Sequence, residues 1–124
     1  MKTSELTSAA LDWAVAKCEG YDCQFNDEVA GPWLVPQEGY LHDEKPLSKF
    51  NPTTNWSQGG PIIQREYINI THPNGFDGAN NEWVATWKFG GYEQYCGSTP
   101  LIAAMRCYVA LKLGDEVEIP EIPQ

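Results

Sequence analysis

Gly97-Ser98-Thr99-Pro100-Leu101-Ile102-Ala103-Ala104-Met105-Arg106-Cys107-Tyr108-Val109-Ala110-Leu111-Lys112-Leu113-Gly114 is the stretch on which the fold turns. A hydroxylated residue in front, proline at the first helical position and glycine just past the end punctuate a helix from Leu101 to Leu113. Leu101, Met105 and Tyr108 stack on one face, and Ile102, Val109 and Leu113 widen it to an arc of roughly 140°. Ala103, Cys107 and Ala110 hold most of the other face, so little of this helix is obliged to meet water. It reads as the central core helix. Its start also leaves backbone N–H groups beside two hydroxyls, an arrangement that can hold an anion.

Working outward, a first helix starts at the cap Thr7 and ends at Glu19, with Gly20 as terminator. Ala10, Leu11, Ala14, Val15 and Cys18 form its apolar stripe. Trp13 falls roughly 140° from the stripe's centre, so it is either covered by the following loop or turned to a second subunit. Residues 20–61 carry five of the nine prolines and no sustained period. They read as a long irregular excursion with a short strand at Trp33–Val35, the kind of stretch that is usually functional. Sheet follows: Ile62–Glu66 and Tyr67–Thr71 as short runs, then Trp83–Phe89 with Trp83, Ala85, Trp87 and Phe89 on one face. The polar connection His72 to Asn81 makes an antiparallel hairpin of them, and Tyr92–Cys96 adds a short continuation. Beyond the central helix, Val117, Ile119 and Ile122 alternate with acids and prolines, a pattern suited to a sheet edge of this chain or of a neighbour. The expectation is a single α+β domain, residues 1–124, in which two helices pack on a small antiparallel sheet with a long irregular loop region. Trp13 and the tail together imply a homo-oligomer.

Charge narrows the partners. The 124 residues carry a net charge of −9, but the excess lies in the flanks: −7 over residues 1–44 and −4 over 113–124, against +2 for the middle. A long nucleic acid would be repelled, because neutralising its phosphates supplies most of such affinity. The middle can still hold a small anion. No run of about 18 apolar residues offers a membrane span, and Glu5, Asp12 and Lys17 interrupt any signal-peptide core. The four cysteines are then expected as reduced thiols. Their spacing, with no histidine placed to complete a tetrahedral site, gives no zinc site, and no other metal or cofactor is expected.

Catalytic signals are thin. The phosphate-loop, dinucleotide, zinc-protease and serine-hydrolase motifs are all missing, and His42 and His72 fall in expected loops. The chain is therefore read as a binding protein and not an enzyme. Trp56 offers a stacking plane, Gln58 an amide for a base edge, and Gly59 and Gly60 close backbone approach. Ser98 and Thr99 offer phosphate ligands, with Arg65 and Arg106 as guanidinium groups. The bland alternative is that Trp56 is core, the glycines are a turn, and Ser98 and Thr99 only cap.

Four stretches make the chain resemble a known family: Lys2 to Thr7, Ala10 to Ala16, Trp56 to Ile63 and Thr99 to Val109. They resemble the NinX-like family of small proteins from tailed phages of enteric bacteria. The resemblance implies a phage accessory protein acting in the cytoplasm of the infected bacterial host, and brings no established catalytic or binding residues. By analogy with small phage genes that counter host defences, the favoured function is sequestration of a small anionic ligand, most of all a cyclic-nucleotide-type defence signal. The alternative is a protein-interaction module that binds and inhibits a host factor through its acidic surface.

Overall fold

The computed structural model describes residues 2–6, 8–20, 23–26, 29–34, 48–71, 82–90 and 93–118, giving the backbone alone for residues 8, 23–26, 29–34 and 48–49. The central helix is present as α3, Pro100–Leu113. The Thr99 hydroxyl accepts the Ile102 N–H at 3.1 Å, and Gly114 takes φ +90° at the far end. Leu101, Ala103, Ala104, Met105, Cys107, Tyr108 and Val109 are all buried. Both faces are covered, which is why a helix with alanine and cysteine on its second face can sit at the centre.

Helix α1 (Ser8–Glu19) packs on α3 and ends at Gly20, whose φ of +80° suits glycine. Its stripe behaves as the spacing requires: Ala10, Leu11, Ala14 and Val15 are buried. Trp13 is half-buried against its own chain's core, with the Lys17 ammonium 5.4 Å from its ring. The expected cap, Thr7, lies outside the described residues, as do the hairpin tip 72–81 and the tail from 119 onward.

Two three-stranded antiparallel sheets flank the helices. The first is β1 (Cys23–Asn26), β2 (Val29–Leu34) and β3 (Ser48–Lys49), and α1 contacts it through β1 and β2. The second is β4 (Ile68–Thr71), β5 (Trp83–Trp87) and β6 (Tyr95–Gly97), and α3 lies across all three of its strands. Ala85 at the centre of β5 is fully buried, with Trp83 and Trp87 packed around it.

The α+β class therefore holds, while the finer expectation is corrected in three places. There are three α-helices among the described residues, and two sheets. The long irregular region contains β1, β2 and β3. Pro32 sits within β2 opposite Phe25, and β3 reaches only Trp33 and Leu34; a proline is tolerated where one side of its strand needs no ladder bond. Third, Ile62–Glu66 is no strand but the end of α2, Trp56–Glu66.

Helix α2 forms despite Gly59-Gly60-Pro61 for identifiable reasons. Asn55 caps it, its Oδ1 accepting from the Ser57 N–H at 3.0 Å and the Ser57 hydroxyl at 2.6 Å. Gly59 and Ile62 turn inward, three residues apart. A Cβ at Gly59 would stand 2.6 Å from the Pro52 carbonyl oxygen and 2.7 Å from Leu101 Cδ2. The glycine is there for close approach to α3, and not for a turn. Tyr67, at φ +57°, ends the helix immediately before β4.

The N-terminal segment is tied to the far end of α3. The Thr3 N–H donates to the Asp115 carbonyl at 2.7 Å and its hydroxyl to the Gly114 carbonyl at 2.6 Å. Beneath the 50–55 segment, the buried Asp12 carboxylate accepts the Thr53 N–H at 2.9 Å.

Candidate functional site

The residues expected to hold an anion fall into two separate settings, and a third cluster contains none of them. At the start of α3, Ser98 and Thr99 are exposed, and the Thr99 hydroxyl already serves its own helix as cap. Arg106 is engaged within the chain. Its Nε donates to the Leu6 carbonyl at 2.9 Å and its Nη1 to the Cys96 carbonyl at 2.5 Å, clamping the N-terminal turn, β6 and α3 together.

The second setting is the open face of α2. Trp56, its first residue, is 55% exposed, and so is not core. Gly60 is spaced for contact with that ring, a Cβ there standing 3.9 Å from Trp56 Cε3. Gln58 turns aside, its Oε1 accepting the Asn51 N–H at 2.6 Å. Gln58 and Arg65 do share a cavity of 330 Å³, lined also by Glu19, Phe50, Ser57, Pro61 and Ile62. Trp56, Ser98, Thr99 and Arg106 are not part of that lining.

Arg65 carries a network instead of a vacancy for phosphate. Its Nη2 reaches Glu19 Oε2 at 2.5 Å and Nη1 reaches Oε1 at 3.1 Å, while Nε holds Glu66 at 2.8 Å. The Tyr108 hydroxyl donates to Glu19 and accepts from Arg65 Nη2 at 3.1 Å, and Lys112 lies 3.5 Å from Glu66. Burial works to raise the Glu19 carboxyl, but the hydrogen bonds from Arg65 and Tyr108, aided by both cations, outweigh it and leave it below its ordinary range. Burial pushes the Tyr108 phenol up, and Glu19 beside it adds to the shift. The arginine stays charged throughout.

The third cluster lies outside the site expected from the sequence. Tyr67 and Phe89 are 56% and 60% exposed, with ring centroids 5.4 Å apart in an edge-on arrangement. Trp87 meets Phe89 in the same way at 5.4 Å. The Lys88 ammonium stands 5.5 Å from the Tyr67 ring and 5.6 Å from Phe89. Lys88 makes no ion pair with any described residue. This is a ridge of rings and one cation on the surface, held by the Lys88 N–H bond to the Tyr67 carbonyl at 3.0 Å. Period-2 spacing places Phe89 on the face of Ala85 and Trp87, so it reads as core; β5 ends two residues earlier and leaves it outside.

Cys18, Cys96 and Cys107 are free thiols, and burial pushes those of Cys18 and Cys107 up to about 12 and about 11. Among the described residues no three His, Cys, Asp or Glu side chains converge as metal ligands. No described helix is long and apolar enough to cross a membrane.

Over residues 2–112 the chain matches the profile of the family described as Bacteriophage P22, NinX. The chain belongs to the NinX family. The match spans α1, α2, both described sheets and α3 up to its last residue but one, so the Thr99 cap, the α2 glycine and the Arg65 network of this NinX-family chain all lie inside it. No curated protein matches the chain.

Proposed function

We propose that this member of the NinX family is a non-catalytic phage accessory protein, acting in the host cytoplasm, that binds and inhibits a host protein. The observation that carries the reading is the exposed pair Tyr67 and Phe89 with Lys88 over both rings. Aromatic residues are enriched at the centres of protein interfaces and among the residues that carry their affinity. The acids Asp115, Glu116 and Glu118 are exposed as well, which gives a partner charges to complement. The arginines argue the same way, since Arg65 and Arg106 are engaged inside the chain and offer an incoming anion little.

Sequestration of a small anionic ligand is kept as the second reading on one observation: Ser57, Gln58 and Arg65 line one cavity of 330 Å³. Capture from host extract separates the two. The parent and Ser98→Ala/Thr99→Ala are expected to retain the same host protein, and Lys88→Glu/Phe89→Ser to lose it. Truncating an aromatic anchor costs at least about 2 kcal/mol, roughly thirtyfold in affinity. Nucleotide released from the heated parent, with no protein retained, would replace this reading by the second.

A further inference from the structure

We infer that the edge of β4 left open among the described residues pairs with β4 of a second copy of this chain, joining two three-stranded sheets into one of six. The inference does not depend on the identity of any host partner. It starts from which backbone groups the second sheet leaves over. In an antiparallel ladder, residues alternate between pairs that exchange N–H···O bonds and pairs whose groups point away. The Lys88 N–H bond to the Tyr67 carbonyl marks 67/88 as a bonded pair, so in the observed register 69/86 and 71/84 are bonded too. Ile68 and Ile70 therefore turn their N–H and C=O groups away from β5, along an edge that no described strand covers.

The same alternation carried across β5 makes 85/95 bonded and turns Cys96 outward on the opposite edge. There the Cys96 carbonyl is taken by Arg106. One edge of the sheet is thus closed by a side chain of α3, and the other has no such closure among the described residues. Natural edge strands are usually blunted by charge, proline or a bulge. β4 has none of these: Ile68-Asn69-Ile70-Thr71 has isoleucine at alternate positions and carries no charge, in a chain of net charge −9.

That neutrality selects the occupant. A two-fold axis through Asn69 sets Ile68 opposite Ile70 of the partner subunit, Asn69 opposite Asn69 of the partner subunit, and Ile70 opposite Ile68 of the partner subunit. This register brings the outward N–H and C=O groups of both copies into bonded pairs, since Ile68 and Ile70 have the same parity. It places two amide side chains face to face, which can hydrogen-bond, and no like charges opposite one another. A closed two-fold interface of this type satisfies both edges at once. Asn69 is exposed, so changing it leaves its own subunit's core untouched.

Analytical ultracentrifugation at about 100 µM tests the pairing with Asn69→Lys, Asn69→Asp and their equimolar mixture. The parent is expected at twice the 13.9 kDa chain mass. Each variant alone, with like charges opposed, is expected to dissociate at least tenfold more readily, and the mixture to dimerise again through Lys opposite Asp. A monomeric parent overturns the inference, as does a dimer indifferent to both variants. Should the variants fail to fold, hydrogen exchange on the parent decides. Exchange at the Ile68 and Ile70 amides must slow as concentration rises, while Asn69 and Thr71 stay constant. Edge amides that are slowed only by added host extract would assign the edge to a different protein and overturn the pairing.

Discussion

Adjacent glycines in α2 should respond to alanine with opposite signs. At Gly60 the new Cβ would meet only Trp56 Cε3, at an ordinary 3.9 Å. Replacing an interior helical glycine by alanine then stabilises by roughly 0.5–1 kcal/mol, because the unfolded chain loses freedom that it would otherwise have to give up. At Gly59 the same gain is present but a clash opposes it. The Cβ would lie 2.6 Å from the Pro52 carbonyl oxygen and 2.7 Å from Leu101 Cδ2. Leu101 can swing aside, but the carbonyl is backbone and can move only with the 50–55 segment, which also carries the buried Thr53–Asp12 bond. Overpacking of that kind costs about 1–3 kcal/mol. Net destabilisation of roughly 1–2 kcal/mol follows, a fall of about 3–10 °C in Tm for a chain of this size. Urea melts of both variants at pH 7 measure it. A Gly59→Ala protein as stable as the parent, or a Gly60→Ala protein less stable than Gly59→Ala, would refute the claim that Gly59 exists for close packing against α3.

Three further outcomes follow from the same geometry. Glu19→Gln should destabilise by about 1–2 kcal/mol at pH 7, discounted because Arg65 is half-exposed. The Glu19 carboxyl is lowered in the fold, so its contribution is complete above the ordinary carboxylate range near pH ~4.3 and is lost as pH falls through its folded value. Thermal melts across pH 2–7 should therefore converge for parent and variant at the acid end. Thr99→Ala should cost about 0.5–2 kcal/mol by chemical denaturation, with Thr99→Ser restoring most of it, because the hydroxyl caps α3. Arg106→Leu should cost roughly 2–4 kcal/mol by leaving the Leu6 and Cys96 carbonyls without their donor, and Arg106→Lys should recover less than half.

What was legible in the sequence followed from strong punctuation and sustained period. Thr99-Pro100 and Gly114 bracket α3, and the 10/11/14/15 spacing specifies the buried face of α1. The Trp83–Trp87 alternation likewise makes a strand with Ala85 at its centre. α2 was not legible because glycine and proline carry local penalties that a tertiary contact overrides. Gly59 is favoured by Pro52 and Leu101, partners 7 and 42 positions away in sequence. Asn55 followed seven residues on by the pair Ile62-Ile63 was the available signal for a capped helix. The site residues fared differently from the elements. Guanidinium, amide and hydroxyl groups announce what they can bind, but not what they already bind inside the chain. Arg65 faces Glu19 across 46 positions, and Arg106 faces Leu6 across 100. The ridge at Tyr67, Lys88 and Phe89 was hidden for the opposite reason: aromatic residues at strand spacing read as core until the strand's end is known.

Native mass spectrometry of the tagged protein drawn from infected host cells tests most directly the claim that this chain acts by holding another protein. The account predicts a stoichiometric host protein on the parent, present also on Ser98→Ala/Thr99→Ala and lost from Lys88→Glu/Phe89→Ser. A parent that carries no host protein, and instead holds a nucleotide-sized adduct that Arg65→Gln releases, would contradict it.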